Sequence, residues 1–220
     1  MSISRDRILY CDDTILAVSK LAGELVVKGF GNVQKLPLLD FLRKEYPGIH
    51  PLNRLDFETS GVVLFARNKK ILAEVLASKF KGWKKIYRTI VAGRIKQDRG
   101  EITMPLPARV KKEGNVTAMT RYKVLQRFEN STYVEVEIET GRHHQIRRHF
   151  AMMYHPLILD QIYGDEKVNR KFSKQLGYRR FFLHAWKVQL PHPVSGKEVI
   201  IEAPMPKAFI NVLKELGIGD

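Results

Sequence analysis

The sequence predicts an α+β fold built on a mixed, mainly antiparallel β-sheet with flanking helices, and three features carry that prediction. Short apolar and β-branched runs of strand length recur through the chain, and only a few stretches between them repeat apolar residues at helical spacing. In addition, Val134, Val136 and Ile138 alternate with Glu135, Glu137 and Glu139, the pattern of a half-solvated antiparallel strand. With 220 residues the chain can bury a core without disulfide or metal staples, as one compact domain or two small lobes sharing a cleft.

Residues 8–19 read as a hairpin, ILY then TILAVSK, turning at Asp12-Asp13. From Pro37 the apolar spacing of Leu38, Leu39, Leu42 and Tyr46 predicts a short amphipathic helix, ended by Pro47-Gly48. The run GVVLFA, 61–66, reads as a buried strand. Asn68 is placed to cap a helix in which Leu72, Val75, Leu76 and Phe80 repeat. In KIYRTIVAG, Tyr87, Thr89 and Val91 share one face of a strand, and Ile86, Arg88 and Ile90 share the other. Gly141 ends the Val134 strand, and a helix is expected through Ile146, His149, Phe150 and Met153. Further strands are expected near 181–190 and 198–203. The stretch 93–115, with prolines, glycines and scattered charges, is the expected mobile connection. No internal repeat or low-complexity linker is found.

Lys and Arg number 38 against 23 Asp and Glu, a net charge of +15 that solubility does not require. Two readings compete, a generically basic surface and a polyanionic partner. The basic residues lie in folded-looking sequence: Lys79, Lys81, Lys84, Lys85 and Arg88; Arg109, Lys111 and Lys112; and Lys167, Arg170, Lys171, Lys174, Arg179 and Arg180. Cys11 is the sole cysteine, which excludes an intrachain disulfide and paired-thiol redox chemistry and suits a reducing compartment. Asp12 and Asp13 interrupt the first apolar stretch, as a secretory signal would not, and no run approaches a membrane span. A cytoplasmic protein without membrane association is expected, and a monomer.

Two constellations could carry chemistry. In NRLDFETSG, 53–61, a carboxylate at Asp56 lies between Arg54 and Thr59-Ser60-Gly61, just before a core strand. Chemistry alone leaves two readings, an active-site loop on a rigid support and a solvated loop with local turns. In GRHHQIRRHF, 141–150, Arg142, Arg147 and Arg148 gather at the start of a helix, where N–H groups and the helix dipole favour anions. A salt-bridged surface helix is the alternative. His143, His144, His149 and His155 are crowded, yet they lack HExxH spacing and clear ligand pairs, so no metal is expected.

Taken in order, NRLDFETSG, KIYRTIVAG, GRHHQIRRHFAMMYHPLILDQIYGD and FLHAWKVQLPHPVSGKEV resemble the RluA-type family of RNA pseudouridine synthases, from about residue 8 to residue 206. The run Arg147-Arg148-His149, the pair His155-Pro156 and GDEKVNRKF resemble a TruC-like branch acting on transfer RNA. The resemblance implies the pseudouridine synthase fold with a central catalytic cleft. It implies one catalytic domain over 1–220 with no small RNA-binding domain ahead of it, since only a handful of residues precede Ile8. The implied partner is structured ribosomal or transfer RNA, and no cofactor is implied. By position in the motifs, Asp56 would be the catalytic aspartate, Tyr87 the aromatic against the flipped base and Arg147 the cation pairing with the aspartate. Arg54 would fill the gap left by the extruded nucleotide. Thr59, Ser60, Arg142, His144, Gln145, Ile146, Lys84 and Lys85 would line the RNA-facing surface. Lys20 and Gly23 in SKLAGELVV match the family's KPxG stretch.

The implied reaction breaks the bond from uracil N1 to the sugar, turns the base and joins its C5 to the same carbon. Asp56 could act as nucleophile or as base, and the sequence does not choose. Extruding the nucleotide costs a few kcal/mol, and stacking on Tyr87 returns on the order of 1–3 kcal/mol. Asn53 stands where the family has His, Leu21 where it has Pro, and Tyr154 and Leu159 where small residues are common. An RNA-binding or RNA-chaperone protein that kept the fold without turnover, and an enzyme of small anionic metabolites, are the competing classes.

Overall fold

A computed structural model describes residues 3–28, 36–108 and 114–218. In chain order its strands are β1 (Ile8–Cys11), β2 (Ile15–Lys20), β3 (His50–Pro51), β4 (Ser60–Ala66), β5 (Lys84–Ala92), β6 (Arg99–Ile102), β7 (Leu106–Pro107), β8 (Asn115–Val116), β9 (Thr120–Arg127), β10 (Ser131–Ile138), β11 (Leu183–Pro191) and β12 (Glu198–Glu202). The helices are α1 (Leu38–Glu45), α2 (Lys69–Ala77), α3 (Gln145–Met152), α4 (Glu166–Leu176) and α5 (Lys207–Glu215). The fold is α+β with mainly antiparallel strands and flanking helices. Its backbone contacts fall into two compact units, Met1–Lys84 with Ala185–Met205, and Lys85–His184 with Pro206–Asp220.

The first unit orders its strands β1-β2-β4-β11, with β3 on β4 and β12 on β11. All seven residues of β4 are buried, and the strand's alternation explains how. Val62, Leu64 and Ala66 pack with Ile15 and Ala17 of β2 and with Ile71 and Val75 of α2. Val63 and Phe65 face the other way, into a cluster with Leu16, Val18 and the α1 residues Leu38, Leu39 and Leu42. A strand with an apolar layer on each face cannot slip by one residue without exchanging its two sets of partners. The segment that feeds into Ser60 therefore starts from a fixed point.

The second unit orders β5-β10-β9-β6, all antiparallel. The expected alternation in β10 is present, with Val134, Val136 and Ile138 buried and Glu135 and Glu137 half-buried. Glu137 lies opposite Arg121 of β9, which also faces Glu101 of β6. The Arg121 guanidinium meets Glu101, Glu137 and Glu139 at 3.1, 3.6 and 2.6 Å.

The expected hairpin, the helices after Pro37 and Asn68, the buried strand and the late strands are all present, with ends shifted by a residue or two. Asn68 caps α2 by accepting from the Ile71 N–H at 3.0 Å. Phe80 is not on that helix. The chain turns left-handed at Lys79 (φ 50°) and Phe80 (φ 58°), and the ring packs edge-on to Trp83. The 93–115 connection carries β6 and β7 and the start of β8. Its segment 109–113, with Arg109, Lys111 and Lys112, lies outside the described residues. Strand β9 and helices α4 and α5 were not anticipated. In TRYKVLQR and EKVNRKFSKQL polar residues dominate, so the apolar period is thin in both.

Candidate active site

The loop 53–59 is fastened at both ends and in its middle. Asn53 lies against β4, its Oδ1 accepting from Leu64 N–H at 2.7 Å and its Nδ2 donating to Val62 O at 3.3 Å. The amide thus supplies an acceptor and a donor to one stretch of backbone, which accounts for an Asn at this position. Asp56 is half-buried, and its carbonyl accepts from Thr59 N–H at 3.1 Å, closing a turn. Gly23 N–H donates to Phe57 O at 2.7 Å. Gly61 follows at φ 114°, where a Cβ would stand 2.2 Å from Ala185 O, so no larger residue fits.

Lys20 is the pin of this loop. Only 1% exposed, it donates from Nζ to Leu21 O at 3.0 Å, Phe57 O at 3.1 Å and Thr59 O at 2.6 Å. Burial lowers its pKa to about 8, against the opposing pull of the negative charges on Glu24 and Asp56. Glu24 is held in turn by both terminal nitrogens of Arg7. Thr59 and Ser60 are buried, and Arg54 is exposed. Among the described residues the Thr59 hydroxyl is buried without a hydrogen-bond partner.

In the second unit, Tyr87 is 8% exposed on β5 opposite Val136. Lys85 lies on the same face two residues earlier, half-buried, with Nζ 3.4 Å from Glu139 O and its pKa lowered by burial. Lys84 and Arg142 are exposed. His144 enters α3 from a left-handed conformation (φ 53°), stacks on His143 and meets the Tyr163 hydroxyl at 3.0 Å through Nδ1. Ile146 is buried. Gln145, also buried, spends its amide inside the fold. It accepts from Thr140 Oγ1 and Arg142 N–H and donates to Met119 O and Thr120 Oγ1. The Thr120 hydroxyl also meets His149 Nδ1 at 2.8 Å, while His149 Nε2 donates to Met104 O at 2.9 Å. Burial lowers the pKa of His149, in keeping with a neutral ring whose tautomer is set by that carbonyl.

Arg147 is 4% exposed, and its guanidinium forks onto Asp160, Nε to Oδ2 at 2.6 Å and Nη2 to Oδ1 at 2.8 Å. The rings of Phe181 and Tyr163 lie 4.5 and 5.1 Å from its central carbon. Asp160 is fully buried and also accepts from the N–H groups of Ile162 and Tyr163. Burial alone would raise its pKa, but Arg147 and those N–H groups outweigh it and hold the carboxyl below the usual range. Asn169 of α4 braces the same turn, accepting from Leu159 N–H at 2.7 Å and donating to Asp160 O at 2.8 Å. Sequence reasoning named Arg147 but not Asp160 or Asn169. The available signal was DQIYG, an Asp two residues before N–H groups that it can cap. Among the described residues no group of three or more His, Cys, Asp or Glu is arranged to hold a metal ion.

Residues 14–152 match the family described as RNA pseudouridylate synthase. The chain is 34% identical over 96% of its length to the ribosomal large subunit pseudouridine synthase C of Escherichia coli K12, covering 70% of that protein. It is 36% identical to the synthase C of Salmonella typhimurium LT2, with the same coverage. It is 33% identical to a ribosomal large subunit pseudouridine synthase D of Neisseria meningitidis, covering 61% of it. Among solved structures, human RNA pseudouridylate synthase domain containing 4 superposes with a TM-score of 0.80 at 24% identity, over 96% of this chain and 93% of that one. Human RNA pseudouridylate synthase domain containing 1 gives 0.72 at 21%, over 98% and 97%.

Proposed function

Because the chain belongs to the RNA pseudouridylate synthase family, and so isomerises uridine in RNA to pseudouridine, we propose that Asp56 starts the reaction on a uridine of large-subunit ribosomal RNA in the cytoplasm. The change is an isomerisation. The N1–C1′ bond breaks, the base turns, C5 bonds to C1′, the C5 hydrogen leaves as a proton and N1 takes one up. Neither electrons nor a phosphoryl group are exchanged, so the protein needs to supply a carboxylate, a cation and an aromatic face.

The observation that supports Asp56 is the fastening of its loop: three carbonyl bonds from Lys20, one bond from Gly23 and the anchoring of Asn53 on β4. A reacting group must be held within a few tenths of an ångström of its productive position, and this loop has the means. In the same reading Tyr87 carries the flipped uracil, and Arg147, held by Asp160, supplies the cation. Arg54, exposed on the loop, fills the vacated stack. Arg142, Lys84 and Lys85 meet phosphates, and Thr59, Ser60, His144, Gln145 and Ile146 shape the ground they stand on. The large-subunit substrate follows the names of the relatives.

Tritium release from transcripts carrying uridine tritiated at C5 tests the assignment. Asp56→Asn is expected to lose at least about 100-fold in rate, the scale of a positioned acid, base or nucleophile, with RNA binding kept within a few fold. Undiminished release by that variant would sink Asp56. Running large-subunit ribosomal RNA and bulk transfer RNA side by side tests the substrate, and release from transfer RNA alone would replace it.

A further inference from the structure

We propose that the outer face of α4 is a docking surface for the RNA phosphate backbone, a deeper statement of the function proposed above and resting on it. Asn169, Phe172 and Leu176 are buried along the helix, so the opposite side faces solvent. That side carries Lys167, Arg170, Lys171 and Lys174, all exposed, with Lys167 and Lys174 each three and four residues from the Arg170-Lys171 pair, so that they form one row. The helix spans about 16 Å, room for several phosphates of one strand. Past its cap at Gly177 the exposed Arg179 extends the basic run.

Helix stability does not explain this row. Like charges at three- and four-residue spacing repel, and Lys167 stands in the first turn, where the helix dipole disfavours a cation. Among the described residues acidic groups relieve only part of it: Glu166 pairs with Arg170 at 2.7 Å and Lys174 in the last turn suits the dipole, but Asp165 is committed as the N-cap to Val168 N–H and Lys167 and Lys171 remain side by side on the row. A surface that costs its own helix stability is explained by an anionic partner, and RNA is the polyanion this family acts on. The position also fits. From the buried side of the same helix, Asn169 braces the turn of Asp160, which holds Arg147. Backbone docked on α4 is thus coupled by two hydrogen bonds to the turn that orients the reactive arginine.

The test compares wild type with the triple variant Lys167→Gln, Lys171→Gln, Lys174→Gln, none of which lies in the catalytic set. The probe is a large-subunit ribosomal RNA transcript carrying 5-tritiated uridine. The plot of log binding constant against log salt is expected to flatten by about two to three, near 0.7–0.9 for each phosphate left without its cation. Affinity at 150 mM salt should fall about tenfold or more. The triple Lys→Arg variant should keep the wild-type slope, and Lys171→Glu alone should weaken binding further than Lys171→Gln. A Gln variant with the wild-type slope and affinity overturns the surface. Binding needs no turnover, so failed tritium release by wild type would count against the function and leave the surface to be judged on its slope.

Discussion

The ammonium of Lys20 offers three N–H donors and meets three carbonyl oxygens, so its charged form satisfies the loop around Asp56 with nothing left over. A neutral amine has two donors and would leave one oxygen unpaired. Burial nonetheless brings its pKa from 10.5 to about 8. Between those values the unfolded chain holds a proton that the folded chain has released, so this residue's contribution to stability rises with pH across that window. The span corresponds to about 3 kcal/mol. Denaturant unfolding of wild type and Lys20→Met at pH 7.5, 9 and 10 should show the wild type gaining on the variant by up to that amount. Turnover should decline over the same interval as the third carbonyl loses its donor. A stability difference that does not vary with pH would mean that the folded state does not perturb Lys20. Sequence motifs brought Lys20, Asp56, Tyr87 and Arg147 into view. Asp160 and Asn169 stayed hidden, because a carboxylate buried under a guanidinium looks in sequence like any polar residue of a turn.

At the scale of elements, the ends of α2 and α3 depart from expectation, and their geometry says why. Helix α3 closes with Tyr154 N–H donating to Ala151 O and His155 N–H to Phe150 O, the paired bonds of a Schellman cap. Such a cap puts its first outside residue in the left-handed region, which Gly enters freely, yet here Tyr154 stands there at φ 60° and 92% exposed. The same cap at α2 puts Lys79 left-handed and turns Phe80 back onto the core. An apolar residue at helical spacing can therefore belong to the cap and not to the helix. Leu159 is left-handed too (φ 65°), but it is fully buried and bonded by Asn169, so its packing offsets the strain. Tyr154 has no such return. Tyr154→Gly should therefore stabilise the protein by about 0.5–1 kcal/mol, the left-handed cost removed less the added entropy of Gly in the unfolded chain. Thermal unfolding measures this directly, and a lower midpoint for the variant would show that the exposed ring contributes a contact that matters. Core strands such as β4 were legible because burial on both faces writes a continuous apolar run of strand length into the sequence. C-terminal cap residues such as Lys79 and Tyr154 were not, because a left-handed turn leaves little trace in composition when Gly is absent.

Taken whole, the molecule carries +15, and its own charge opposes its compact state while favouring a polyanion. Both effects are screened by salt, but they bear on different equilibria and should move in opposite directions. Raising monovalent salt from 50 to 500 mM shortens the screening length from roughly 14 Å to about 4 Å. Repulsion among dispersed cations acts over the longer distance, whereas the ion pairs of Arg121 with Glu101, Glu137 and Glu139 act at 2.6–3.6 Å. Screening therefore removes more repulsion than attraction. The unfolding midpoint should rise, by about 2–4 °C for each kcal/mol relieved in a chain of this size. Over the same range RNA affinity should collapse, by about 10⁴ or more if six or more phosphates are neutralised. Thermal melts and filter binding on one set of salt steps read both. A midpoint that fell with added salt would mean that the surface ion pairs outweigh the excess charge, and that the basic residues are spaced so as not to oppose folding.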